Sequence, residues 1–251
     1  MSLTVTPVDS IRPITRSEAR GLAAMENERV LDLLRSLTDD DWSRPTDCPA
    51  WDVRALTGHV LGGMEGFSAY SQLIHMMRAA KKEAGRGSFV DGMTTVQVRE
   101  RVDLSHTELL TRLVEAGPKS ARFRSRVPVP MRAMRMKQEL LSGASESWKM
   151  GYLLDTILTR DTWMHRVDIA RATGREFVQT ATHDGRIVAD AVAEWARRHG
   201  QPFTLELAGS AGGTFIQGSG GESIALDAIE LCRIFSGRAT GIGLLAQEVP
   251  F

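Results

Sequence analysis

Apolar residues recur at helical spacing over most of the sequence up to Ala172, and the spacing turns to strict alternation after Gly200. The first pattern belongs to helices that bury one face, the second to strands. A chain with this order of periods folds as long helices packed on one another, followed by a smaller unit of mixed structure. The expected fold class is therefore mainly α, a four-helix bundle over residues 1–175 followed by a small α+β domain over residues 176–251.

Punctuation sets the expected elements. Residues 1–14, with two prolines, read as an extended lead-in. Thr15 and Glu18 have capping-box spacing and start a helix that runs to about Leu37, with Leu22, Met25, Val30, Leu33, Leu34 and Leu37 as its stripe. Thr38–Ala50 is a connection. Asp52 then caps a second helix from Val53 to about Ala84, and Gly62-Gly63 within it marks a close helix crossing. After a Gly-containing break, a third helix is expected from Thr94 to Ala116, stopped by Gly117-Pro118. Residues 119–137, basic and acid-free, read as a long crossover into a fourth helix from Ala144 to Ala172, ended by Gly174. A helix over His183–His199 precedes three alternating segments, PFTLELAG, GGTFIQG and SIALDA, expected as a small antiparallel sheet. A last helix spans Ala228–Phe235.

The 251 residues are 42% apolar and 25% charged with zero formal net charge, the profile of a soluble globular protein. Neutrality gives no electrostatic reason to expect nucleic acid or an anionic membrane as partner. No apolar run approaches the ~18 residues of a membrane span. The start of the sequence lacks the basic and apolar regions of a signal peptide, and the two cysteines, Cys48 and Cys232, lie too far apart for a metal knuckle. A reduced, cytoplasmic protein, monomer or homodimer, is the expectation.

Chemistry concentrates in the fourth helix. Asp161 and His165 leave one helix face a turn apart, so together they can grip a divalent cation, with His59 of the second helix as third ligand. Two imidazoles and a carboxylate suit zinc, iron, nickel or manganese and leave coordination positions open. The same spacing also describes a helical ion pair beside a hydrogen-bonded core histidine. Spacing alone leaves both open. Trp51 and Trp163 read as core anchors, Cys48 as a small packed residue, and Asp168 as a partner of Arg166 or Arg171. His75, His106, His183 and His199 read as exposed. The basic run Lys119, Arg122, Arg124, Arg126, Arg132, Arg135 and Lys137 reads as a solvated face or as a receiver for an anionic thiol or substrate.

The segments WSRPTDCPAWDVRALTGHVLGG, RDTWMHRVDIARATGR and FSGRATGIGLLAQEVPF resemble the mycothiol-dependent maleylpyruvate isomerase family, an actinobacterial branch of the DinB-like metal-binding four-helix bundles. The resemblance runs over nearly the whole chain. It implies a divalent metal, zinc in the usual assignment, held by His59, Asp161 and His165. The family's acidic ligand is commonly Glu; Asp161 is shorter by one methylene, which shifts the metal or weakens its hold. The resemblance further implies a low-molecular-weight thiol, mycothiol, as cosubstrate and a small electrophilic acid as substrate. The thiolate would add to a conjugated double bond and leave after rotation, or attack and stay attached. Arg238, in Ser236-Gly237-Arg238, is the expected cation for the acid's carboxylate or enolate. A non-catalytic metal- or ligand-binding module of the same superfamily is the alternative, and so is a metal that serves only folding. A C-terminal domain closing over the metal completes the expectation.

Overall fold

Several helices in this chain start where a short polar side chain satisfies first-turn amides. The computed structural model describes residues 5–140 and 142–251. The lead-in is in part a strand, β1 (Val5–Pro7). Thr15 then accepts the amide of Glu18 while the Glu18 carboxylate accepts that of Thr15, and α1 (Arg16–Arg35) begins there. Its buried stripe holds Leu22, Val30, Leu33 and Leu34, whereas Met25 is exposed. Asp52 accepts the amide of Ala55 at 2.7 Å and starts α2 (Val53–Gly66).

The second expected helix is two. α2 ends at Gly66, and α3 (Tyr70–Ala84) folds back so closely that a Cβ on Gly66 would lie 2.2 Å from Met76 Sδ. The third is also two, α4 (Phe89–Arg99) and α5 (His106–Arg126), begun by Ser88 and by a Ser105–Glu108 capping box. Gly117-Pro118 does not stop α5. Proline inside a helix costs about 3 kcal/mol. Here the buried face of Leu109, Leu113, Ala116, Ser120 and Ala121 outweighs that cost, and Asn27 Nδ2 donates to the Gly117 carbonyl at 3.0 Å.

The basic run is therefore not one open crossover. Its first part is the last turns of α5, and α6 (Val129–Ala133) follows. β2 (Arg135–Glu139) and β3 (Ser145–Lys149) then form an antiparallel hairpin, pairing Lys137 with Ser147. The fourth helix begins not at Ala144 but at α7 (Met150–Tyr152), passes through a π turn at Leu153–Ile157 and becomes α8 (Leu158–Thr173). Gly174, at φ +66°, ends it as expected. α1, α2, α5 and α8 make the four-helix bundle around Val30, Leu34, Leu56, Leu61, Leu109, Leu113 and Ile169. The close crossing at Gly62 is real: a Cβ there would sit 2.6 Å from Gln97 Cβ on α4.

The remaining elements are α9 (Asp184–His199), β4 (Phe203–Ala208), β5 (Gly213–Gln217), β6 (Glu222–Asp227) and α10 (Ala228–Phe235). The sheet order is β1-β5-β4-β6. β4 and β5 are antiparallel, but β6 runs parallel to β4 and β1 parallel to β5, so the sheet is mixed where an antiparallel one was expected. Alternation fixes which face of a strand is buried and carries no information on its neighbour's direction. Trp195 of α9 packs on Phe203 and Phe235 with ring centroids 4.6 and 5.5 Å away.

By contacts the chain divides into one unit of residues 15–139 and 144–177 and another of the described residues of 1–14, 140–143 and 178–251. The lead-in thus belongs with the C-terminal sheet and not with the bundle to which residues 1–175 were assigned. No helix among the described residues is long and apolar enough to cross a membrane.

Candidate metal centre

Two bundle helices supply the site. α2 is buried along Val53, Leu56 and Val60, which fixes its rotation and leaves His59 aimed inward at 6% exposure. α8 is buried nearly all round, and its Asp161 and His165, one turn apart, face His59. His59 Nε2 lies 3.4 Å from one Asp161 oxygen, and His165 Nε2 lies 3.3 Å from the other. The imidazole rings are 4.9 Å apart and nearly perpendicular. In a tetrahedral zinc site with bonds of about 2.0–2.1 Å, neighbouring ligand atoms are about 3.3 Å apart. Each spacing is close to that edge, although the two run to different Asp161 oxygens, and each is also that of a long hydrogen bond. The residues present fit a divalent metal.

The surroundings of His165 strengthen the fit. Its Nδ1 lies 3.0 Å from Oδ2 of the fully buried Asp168, which favours a proton on Nδ1 and leaves Nε2, facing Asp161, as the nitrogen a metal would take once that nitrogen is deprotonated. A carboxylate behind a histidine is the usual outer support of a metal-binding imidazole. Cys48 Sγ reaches the same Asp168 oxygen at 3.7 Å. Trp51, half-buried, stacks on His59 at 4.9 Å and meets the edge of His165 at 6.3 Å, roofing both rings. The buried Nδ1 of His59 has no hydrogen-bond partner.

Charge follows geometry. Burial pushes the Asp161 carboxyl up, but the imidazoles of His165 and His59 more than reverse this and hold it well below the usual range. Burial pulls His165 down, while the Asp161 charge and hydrogen bonds to Asp161, Asp168 and Cys48 raise it well above an ordinary histidine. Three polar groups are thus held at close quarters in a buried place, an arrangement that a cation would complete.

Several assignments change. Asp168 faces His165 and Cys48, while Arg166 makes a two-pronged pair with Glu26 and Arg171 reaches Asp47 at 3.2 Å. The i, i+3 spacing of His165 and Asp168 was the available signal. Trp51 lines the centre, whereas Trp163 is a core residue against Phe177. His183 is buried where exposure was expected, and His199 is half-buried beside Trp195. His75 is exposed and pairs with Glu100, and His106 stacks on Trp42 at 4.3 Å. Arg124, read from sequence as part of a solvated face or of a receiver for an anionic thiol or substrate, is buried. Arg238 is half-buried just after α10, its amide donating to the Arg233 carbonyl at 2.8 Å.

Fold and cluster together define a DinB-like helical bundle with a paired-histidine and carboxylate group at its centre, accompanied by a small α+β unit. The chain belongs to the mycothiol maleylpyruvate isomerase family, whose N-terminal domain model matches residues 23–170. Two crystal structures of mycothiol-dependent maleylpyruvate isomerase, one of them a single-site mutant, share the fold at a TM-score of 0.56. Each covers 94% of this chain and 93% of its own, at 13% identity, a likeness of fold alone. Comparison with curated proteins gives no match.

Proposed function

We propose that His59, Asp161 and His165 hold a divalent metal, zinc before nickel, iron or manganese, and that the chain is a thiol-dependent isomerase or S-transferase acting on a small electrophilic acid. The observation that supports this reading is that one ligand atom each from His59, Asp161 and His165 lie within 4.8 Å of one another, supplied by two helices, with His165 backed by Asp168. When bound, the metal supplies a Lewis acid that lowers the pKa of a coordinated thiol and presents it as thiolate at neutral pH. The membership in a mycothiol-named family supports mycothiol as that thiol.

The chain's own residues do the rest. Asp168 fixes the tautomer of His165, and Trp51 shields the two imidazoles from water on one side. Arg238 is assigned to the carboxylate or enolate of the acid. The thiolate adds to the acid's conjugated double bond and leaves an enolate; the former double bond, now single, rotates, and the enolate expels the thiolate in an isomerase or takes up a proton and keeps the sulfur in a transferase.

Elemental analysis of untagged protein beside His59→Ala tests the metal. About one equivalent in the wild type and none in the variant supports the reading, and Asp161→Ala and His165→Ala should then abolish thiol-dependent turnover. No metal in either protein, even after adding it back, ends it. The shorter Asp161 favours a second reading, a non-catalytic metal- or ligand-binding module in a cytoplasmic protein. Such a module stays folded without metal and shows a ligand response without turnover, whereas a metal serving only folding takes thermal stability away when removed.

A further inference from the structure

Arg124 is a buried cation held by the bundle through neutral oxygens rather than by an ion pair. It lies near the end of α5 at 6% exposure, and its guanidinium is held by main-chain and hydroxyl oxygens. Nε donates to the Leu154 carbonyl at 2.8 Å; Nη2 donates to the same carbonyl at 2.6 Å and to Thr159 Oγ1 at 2.8 Å. A guanidinium has five N–H groups, and those on Nη1 donate to no group among the described residues. No carboxylate among them lies within 4 Å of Arg124. The nearby Asp155, which would otherwise serve, is taken by Arg132.

Burying a charge costs free energy unless it is paired and hydrogen-bonded, so an anionic ligand group brought to Nη1 would be favoured. Burial draws Arg124 down only to about 10, with Asp155 and Asp161 opposing the shift, so it is cationic at neutral pH. The side chain lines a small pocket together with Asn27, Ser120, Thr162 and Asp161. One wall of that pocket is thus a residue assigned above to the metal. The π turn at Leu153–Ile157, which contains the Leu154 carbonyl, fixes the guanidinium in place.

We propose that Arg124 is the carboxylate-recognition residue of this pocket, binding one carboxylate of a small acid through Nη1 and so placing the acid's remaining atoms beside Asp161. The substrate role rests on the metal reading; the anion pocket stands or falls separately. With the carboxylate on Arg124, the enolate is what is left of the role proposed above for Arg238.

The test is a ligand-observed NMR titration of the full chain with crotonate, a short unsaturated monocarboxylate, and with crotonamide, its neutral isostere. Metal content is measured on every sample. The wild type should prefer crotonate by about ten-fold or more, the scale of one charged hydrogen bond. Arg124→Gln should lose that preference while its metal content and circular dichroism stay unchanged. Because Arg124→Gln frees the Leu154 carbonyl and can unfold the bundle, Ser120→Val, which fills the pocket and leaves the arginine, should also weaken crotonate about ten-fold. A wild type that binds both ligands alike, or folded variants that keep the preference, overturns the proposal while the metal result stands. An Arg124-dependent preference in a protein that takes up no metal supports the anion pocket and removes the metal reading instead.

Discussion

Asp168 shows how one side chain can govern a site without reaching it. It touches His165 on the nitrogen away from Asp161 and has no exposure. Asp168→Asn should keep the fold but let the imidazole ring turn and choose the wrong tautomer. We expect divalent-metal affinity, read by competition with a chromophoric chelator, to fall about 10- to 100-fold. Unchanged affinity would mean that Asp168 is there for packing with Cys48 alone. That His59, Asp161 and His165 meet was legible in the sequence, because helical spacing puts two of them on one face and amphipathic pattern turns the third inward, while spacing alone left a metal site and a helical ion pair both open. The sequence did not carry Trp51 or Arg124 to the same place. Their positions depend on how the turn before α2 folds and on the π turn, and neither leaves a periodic trace.

At the scale of the element, punctuation was legible wherever a side chain satisfies the backbone locally. Thr15, Asp52, Gly174 and the Ala228–Phe235 helix stand where the sequence put them. It failed where tertiary contact overrode local signals. α5 runs through Pro118 because its buried face is worth more than the lost hydrogen bond, and the β2–β3 hairpin carries polar residues without an apolar alternation to betray it. The Gly62 crossing gives a direct prediction. Gly62→Ala gains about 1 kcal/mol of helix propensity but drives a methyl into Gln97. The net change should be a loss of about 1–3 kcal/mol in denaturant unfolding. A stabilised variant would show that α4 can retreat.

Acid stability belongs to the same scale. Asp41 is held below the usual carboxylate range by hydrogen bonds from Arg175 and from the amide and hydroxyl of Thr38. Glu108 is held down likewise by the hydroxyl and amide of Ser105. A carboxylate whose folded pKa is depressed adds stability that is complete above its unfolded value, near pH 4. That stability is lost as pH falls further toward the folded value. Asp41→Asn should therefore lower the melting temperature at pH 7 and leave a shallower acid limb below about pH 4. An acid limb identical to wild type would remove Asp41 from the account.

For the whole molecule, division by contacts differs from division by sequence. The C-terminal sheet takes β1 as an edge strand, Val5 opposite Thr214 and Pro7 opposite Ile216. Removing residues 1–14 should leave the capped bundle intact while β5 loses one neighbour. Amide exchange over Gly213–Gln217 should then accelerate, with protection in α2 and α8 unchanged. Slowed or unchanged exchange in β5 would make the β1 pairing dispensable. The same pairing sets an order of events during synthesis. β1 leaves the ribosome roughly two hundred residues before the strand that receives it, a wait of about ten to forty seconds at usual elongation rates. The bundle helices, whose contacts are nearer in sequence, have time to close in that interval. A strand made before the bundle is thus secured after it, and until then its exposed backbone is open to any chaperone or neighbouring nascent chain that offers a strand.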